Sequence, residues 1–235
     1  MWRALLLLTL MLPDLAQAGP WLRTEGEKFL SFSLLFEDVD ERGSANGYAS
    51  LYGEYGATPN LTLGVDIGTN EDGDFNAFAF ALLPISRDRI KVAFEIGAGL
   101  VGRAGTLRSD LSGGSFSAVT SALAVRPGLS IGTGFTAMGT DGWFAIDTRG
   151  EFMVEDGDGD AALASDITLG LKPRPRTKVI LQLQQGGPMS DPDYMRFAPS
   201  VVWEVRPGRH LELGATAGLK NAEAYGFKLG FWRQF

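Results

Sequence analysis

The stretch Tyr225-Gly-Phe-Lys-Leu-Gly-Phe-Trp-Arg-Gln-Phe235 decides the reading of this chain. Side chains of an extended strand alternate between its two faces. Tyr225, Phe227, Leu229, Phe231 and Phe235 therefore share one face, and Gly226, Lys228, Gly230, Trp232 and Gln234 the other. Spacing alone makes this an amphipathic strand.

The same alternation recurs upstream in segments of about ten residues separated by polar connections. Strands are expected near 29–36, 48–56, 61–68, 77–82, 90–100, from 116 onward, 144–154, 166–172, 178–185, 197–205, 211–219 and 225–235. In the first, Leu30, Phe32, Leu34 and Phe36 share a face. In the third, Leu61, Leu63, Val65 and Ile67 oppose Thr62, Gly64, Asp66 and Gly68. In the fourth, Phe78, Phe80 and Leu82 are expected outward, with Ala77, Ala79 and Ala81 opposite. The run Arg126-Pro127-Gly128 reads either as a turn or as an irregularity within a longer strand.

A chain that stops on Phe after such a strand resembles the Gram-negative outer-membrane β-barrels, porin-like proteins among them. The resemblance implies that Phe235, with Phe231 and Tyr225, belongs to the signal read by the barrel-insertion machinery. It also implies an even strand number and short periplasmic turns alternating with longer external loops. Connections ATPN (57–60), PISRDR (84–89), KPRPRT (172–177) and VRPGRH (205–210) are compact, whereas 37–47, 102–115, 155–163 and 186–196 are longer and richer in Gly, Asp and Ser. That rhythm gives an all-β, antiparallel up-and-down barrel of twelve strands, with ten or fourteen as alternatives.

A soluble antiparallel sandwich would alternate in the same way. The weaker face here is rich in Gly, Ala, Ser and Thr rather than dense in Lys and Glu, which favours a barrel interior over a solvated sheet surface.

Residues 1–18 read as a signal peptide: Arg3, an apolar run from Ala4 to Leu12, and Ala16-Gln17-Ala18 as a cleavage site before Gly19. Residues 19–28 are a periplasmic lead-in, and 29–235 form the outer-membrane barrel. The chain has no cysteine, so disulfides and thiolate metal sites are excluded. A net charge of −7 argues against a nucleic-acid partner.

If the apolar faces meet lipid, the charged residues line the lumen, because a Lys or Arg facing lipid at the midplane costs ~2–4 kcal/mol. The expected lining is Glu54, Asp66, Lys91, Glu95, Asp147, Arg149, Glu151, Asp166, Lys172, Lys178, Glu204, Glu212 and Lys228. Mixed signs at close quarters permit a narrow selective channel or cross-barrel ion pairs that fill a closed lumen.

The single histidine, His210, falls in a compact turn and reads as a solvated rim residue rather than a catalytic base. No Gly-x-Ser-x-Gly elbow is present, and no catalytic residue or cofactor is expected. Alternating carboxylates Asp156, Asp158 and Asp160 form a weak candidate cation site, and the run Asn70 to Asp74 a weaker one; an acidic solvated loop is the simpler reading. Expected partners are outer-membrane lipid, lipopolysaccharide, the insertion machinery and an unidentified small solute. The function expected is passive passage of small hydrophilic solutes. A non-conducting envelope or export accessory barrel is the alternative, and a lipid-modifying enzyme the third.

Overall fold

In the computed structural model, residues 19–38, 46–108, 115–154, 161–189 and 193–235 are described, with no description of the side chains of 104–119. Twelve strands span Lys28–Glu37 (β1), Asn46–Thr58 (β2), Leu61–Asn70 (β3), Asp74–Arg87 (β4), Lys91–Arg108 (β5) and Ser115–Ala137 (β6), then Thr140–Met153 (β7), Ala161–Arg174 (β8), Thr177–Pro188 (β9), Tyr194–Arg206 (β10), Arg209–Lys220 (β11) and Tyr225–Gln234 (β12). Each pairs antiparallel with its sequence neighbours, and β1 pairs with β12 to close the barrel. Closure leaves no open edge, as a sheet in lipid requires.

The outer surface is apolar. Leu30, Phe32, Leu63, Val65, Ile67, Phe94, Ile96, Leu129, Ile131, Phe144, Leu229 and Phe231 are all exposed there. Trp203, Tyr225 and Phe235 add amphipathic and terminal aromatics to the same face. Lipid, not a protein core, is the solvent this surface fits, and the molecule is a transmembrane β-barrel of the outer-membrane class.

One rim carries the start of β1, the end of β12 and the tight turns, the other the longer connections. The short-turn rim is the periplasmic one in barrels of this class. Its hairpin between β6 and β7 turns on Met138 (φ 50°) and Gly139 (φ 75°). Two left-handed central residues match the twist of a tight hairpin.

In the walls, one open alternative is resolved and one expectation is corrected. The Arg126-Pro127-Gly128 run is not a turn: β6 passes straight through it. The β6–β7 ladder skips Arg126 and Pro127 and resumes in the same register at Gly128↔Arg149, so a proline without an N–H is absorbed as a gap. This keeps the strand count at twelve. The faces of β4 are also the reverse of those expected. Phe78, Phe80 and Leu82 are 2%, 4% and 2% exposed and point inward. Ala77, Ala79 and Ala81 face outward, followed by exposed Leu83 and Ile85. Register dictates this: Phe78 pairs with inward Asp66, Phe80 with Gly64, and Leu82 with inward Glu95.

Gly64 makes room for the Phe80 ring. A β-carbon at Gly64 would sit 2.1 Å from it. Gly64→Ala is therefore expected to force the ring aside and to destabilise the barrel by about 1–3 kcal/mol. The shift of its unfolding midpoint in urea, followed by heat-modifiable gel mobility, measures this.

Candidate functional site: the lumen

Inward positions of the twelve strands build three polar layers. Midway, Glu95 on β5 (3% exposed) accepts from Arg126 Nε at 3.0 Å and from Arg149 Nε at 3.3 Å. Arg126 also reaches Asp66 on β3 at 2.7 Å, and its guanidinium lies 4.4 Å from the centroid of Phe78 and 5.6 Å from that of Phe80. The inward aromatics of β4 thus seat a cation, which explains why the large side chains of that strand face the lumen.

Toward the long-loop rim, Arg196 on β10 donates through Nη1 to both oxygens of Glu37, at 3.0 and 3.1 Å, and through Nε to Gln184 at 2.6 Å. Thr216 donates to the same Glu37 carboxylate at 3.0 Å. On the β11–β12 wall, Glu212 (3% exposed) accepts from Lys228 and from the Trp232 indole, both at 3.1 Å.

Toward the short-turn rim the interior is occupied. The lead-in enters the lumen, with Gly19, Pro20 and Trp21 buried. Trp21 packs with Trp143 and Ala145 on β7, against Ile180. Gly132 permits this approach, since a β-carbon there would lie 2.6 Å from the Trp21 ring and 2.9 Å from Pro20. Arg23 (4% exposed) donates to Glu54 at 2.5 Å, its amide donates to Thr62 Oγ1 at 2.9 Å, and its guanidinium lies 4.5 Å from the Phe29 centroid. Burial works against the Arg23 charge, but Glu54 beside it more than offsets this and holds its pKa above the ordinary arginine value. Tyr52 completes the Glu54 shell at 2.6 Å.

Between the filled end and the long-loop rim lies a chamber of about 330 Å³. Its charged lining is Asp66, Asp147, Asp166 and Glu212 against Arg149, Arg196 and Lys228, interspersed with Ser, Thr, Gln and the rings of Tyr48, Tyr52 and Trp143. A second hollow of about 630 Å³ sits among the loop-side ends of β2 to β7, and Asp74, Arg103 and Glu151 face it.

Of the remaining expected lining residues, Lys91, Glu204 and Lys172 take rim positions, whereas Lys178 points into the barrel. Lys91 donates to the Arg87 carbonyl at 3.2 Å in the β4–β5 turn. Glu204 accepts from the Gly208 amide at 3.2 Å and lies 3.7 Å from Arg176. Lys172 is opposite Asp141 at the short-turn end of the β7–β8 ladder. Lys178 is buried, with its ammonium 5.7 Å from the Trp232 centroid. Glu37, Arg126, Arg196 and Arg23 are the lumen charges that pattern reading missed. Arg126 precedes a Pro-Gly pair that reads as a turn, and Arg196 lies in 186–196, which reads as a long connection. In fact β9 continues to Pro188 and β10 begins at Tyr194.

His210 is not the solvated turn residue expected. It is 6% exposed, opens β11 on the lumen side, and its ring centroid is 6.2 Å from that of Trp232. The Asn70–Asp74 turn is closed by its own contacts: Asn70 bonds Asp74 in both directions at 3.1 and 2.8 Å, and Arg103 pairs with the Asp74 carboxylate at 2.7 Å. Asp156, Asp158 and Asp160 lie outside the described residues. Among the described residues no group of three or more His, Asp or Glu is gathered to hold a metal ion.

A closed twelve-stranded barrel with a lipid-facing belt and a polar, charged interior defines the class: a transmembrane barrel of porin-like architecture. Known structures agree with it at the level of fold. The NanC porin superposes with a TM-score of 0.60 at 11% identity, covering 87% of this chain and 98% of that one. The KdgM porin, in complex with disordered oligogalacturonate, gives 0.61 at 9% identity over 88% and 99%. The β domain of the Bordetella autotransporter BrkA gives 0.53 at 12% identity over 90% and 100%. No protein-family model matches the chain, and no curated protein matches it in sequence.

Proposed function

We propose that this barrel is a narrow passive channel of the outer membrane for small hydrophilic solutes. The observation that carries the reading is the 330 Å³ chamber, polar on every strand that contributes to it and bounded by cations and carboxylates that face one another. The Arg126 pairs are packed against Phe78 and Phe80, as in a filled lumen, but the chamber beyond them is not closed in this way. Here water-sized space remains beside Arg149, Arg196 and Lys228. The chamber is at the small end of ligand-sized cavities, which suits solutes of monosaccharide or amino-acid size.

The charges also speak to specificity. Four carboxylates against three cations give no attraction for a polyanion, so the lining favours neutral or zwitterionic solutes over the oligogalacturonate bound by KdgM. The non-conducting alternative has an observation behind it too, the lead-in seated in the short-turn end. It narrows the exit rather than filling the chamber. The enzyme reading has no such support, since the single histidine faces an indole inside the barrel. Loop-side carboxylates are left a minor role in contacting lipopolysaccharide, and Phe235, Phe231 and Tyr225 the role of insertion signal.

Liposome swelling tests the proposal. Vesicles carrying the refolded barrel should swell in isosmotic glycine or a neutral pentose and resist a trisaccharide. Equal resistance to all three would reject it.

A further inference from the structure

Asp147 on β7 is 7% exposed, and its Oδ1 has no hydrogen-bond partner among the described residues. Ser130 hydrogen-bonds the carboxyl group but leaves Oδ1 itself without a donor. Ser130 is its ladder partner on β6, Asp166 its like-charged partner on β8, and Arg149, two residues along, is directed to Glu95. A buried carboxylate oxygen without a donor is an expensive feature that calls for a missing partner. What faces it is Gly19: a β-carbon on that glycine would lie 3.5 Å from Asp147 Oδ1. The Gly19 nitrogen is then no more than about 6 Å away, since two substituents on one tetrahedral carbon are about 2.5 Å apart.

The sequence places the small-x-small cleavage pattern Ala16-Gln17-Ala18 immediately before this residue. We propose that the leader is removed after Ala18 and that the α-ammonium so created at Gly19 pairs with Asp147 inside the lumen, locking the lead-in as a plug of the short-turn end. Water adds across the Ala18–Gly19 peptide bond. The acyl carbon keeps the new oxygen as the Ala18 carboxylate, and the nitrogen leaves as an amine that is protonated at neutral pH, its ordinary pKa being about 7.7–8.0. That cation makes the chamber's charges balance, four carboxylates against four cations in place of three. It also ties the first residue of the lead-in to the wall at one end, as Arg23 and Glu54 tie it four residues later. Anchored twice, Trp21 is held against Trp143 between the two points.

The test uses the barrel purified from outer membranes. Its intact mass should correspond to a chain beginning at Gly19; a start elsewhere overturns the proposal. Labelling with a small amine-reactive ester near pH 7, read by terminal-peptide mass spectrometry, should find the Gly19 amine at least tenfold less reactive in the folded barrel than in the heat-unfolded chain. Asp147→Asn should restore most of that reactivity. An amine equally reactive in both folded proteins overturns the pairing. Should Asp147→Asn fail to fold, the refolded chain acetylated at Gly19 serves instead. It should unfold several degrees below its unacetylated twin, and identical unfolding would reject the ion pair. None of these readouts depends on whether the barrel conducts.

Discussion

Replacing Glu95 with alanine is expected to destabilise the barrel by about 3–5 kcal/mol, the range for removing one partner of a buried ion pair. Glu95 is the shared acceptor of Arg126 and Arg149, so its loss removes a partner from two guanidiniums at once. Arg126 keeps Asp66 and the faces of Phe78 and Phe80, whereas Arg149 has no other ion pair among the described residues. Glu95→Gln retains an acceptor of the same shape and should lose less than half as much. Urea unfolding of the two variants in detergent, followed by heat-shifted mobility, gives the comparison. Equal and negligible losses would mean that the pairs are solvated and that lumen water does the work assigned to Glu95. In bilayers, any Glu95→Ala protein that folds should shift reversal potentials toward anion preference, since the lumen gains net positive charge.

The second large effect concerns the lead-in. Joining the leader directly to Gly26, so that Gly19–Glu25 is deleted, should raise single-channel conductance several-fold. The deletion takes Trp21 away from Trp143 and Ala145 and Arg23 away from Glu54, which opens the short-turn end. Stability should fall by about 1–3 kcal/mol, because Glu54 loses its cation and Trp143 loses the packing of Trp21, while water entering the opened end limits the cost. Combining the deletion with Glu54→Gln should recover part of that loss and leave conductance high. An unchanged conductance would place the constriction in the Arg126–Glu95–Arg149 layer instead.

Much of the architecture was legible because lipid imposes a simple rule on sequence. Strands such as Leu61–Asn70 and Tyr225–Gln234 alternate apolar with small or polar residues, and their outer faces could be read residue by residue. The β4 strand shows where that rule fails. Phe alternates with Ala there, and periodicity has no sign. Lipid accepts alanine without difficulty, whereas Arg126 needs ring faces, so the bulk went inward. The sign was fixed by register with Asp66 and Glu95, which is a property of three strands together. Turn-like composition hid Arg126 and Arg196, since Pro-Gly and Gly-Gly-Pro usually end strands, and a barrel long enough to carry a gap absorbs them. The lead-in was illegible for a different reason. The nine residues Gly19–Glu27 before β1 lack periodicity and carry no local sign that Trp21 finds a partner 122 positions away, Trp143.

Single-channel recording of the mature barrel in a planar bilayer tests the central claim most directly, with folding verified by heat-shifted mobility beforehand. A narrow, charge-balanced channel predicts uniform small steps with little preference between potassium and chloride, enlarged when Gly19–Glu25 is removed. A folded protein that is silent both with and without its lead-in would contradict the account and make the barrel a non-conducting envelope component.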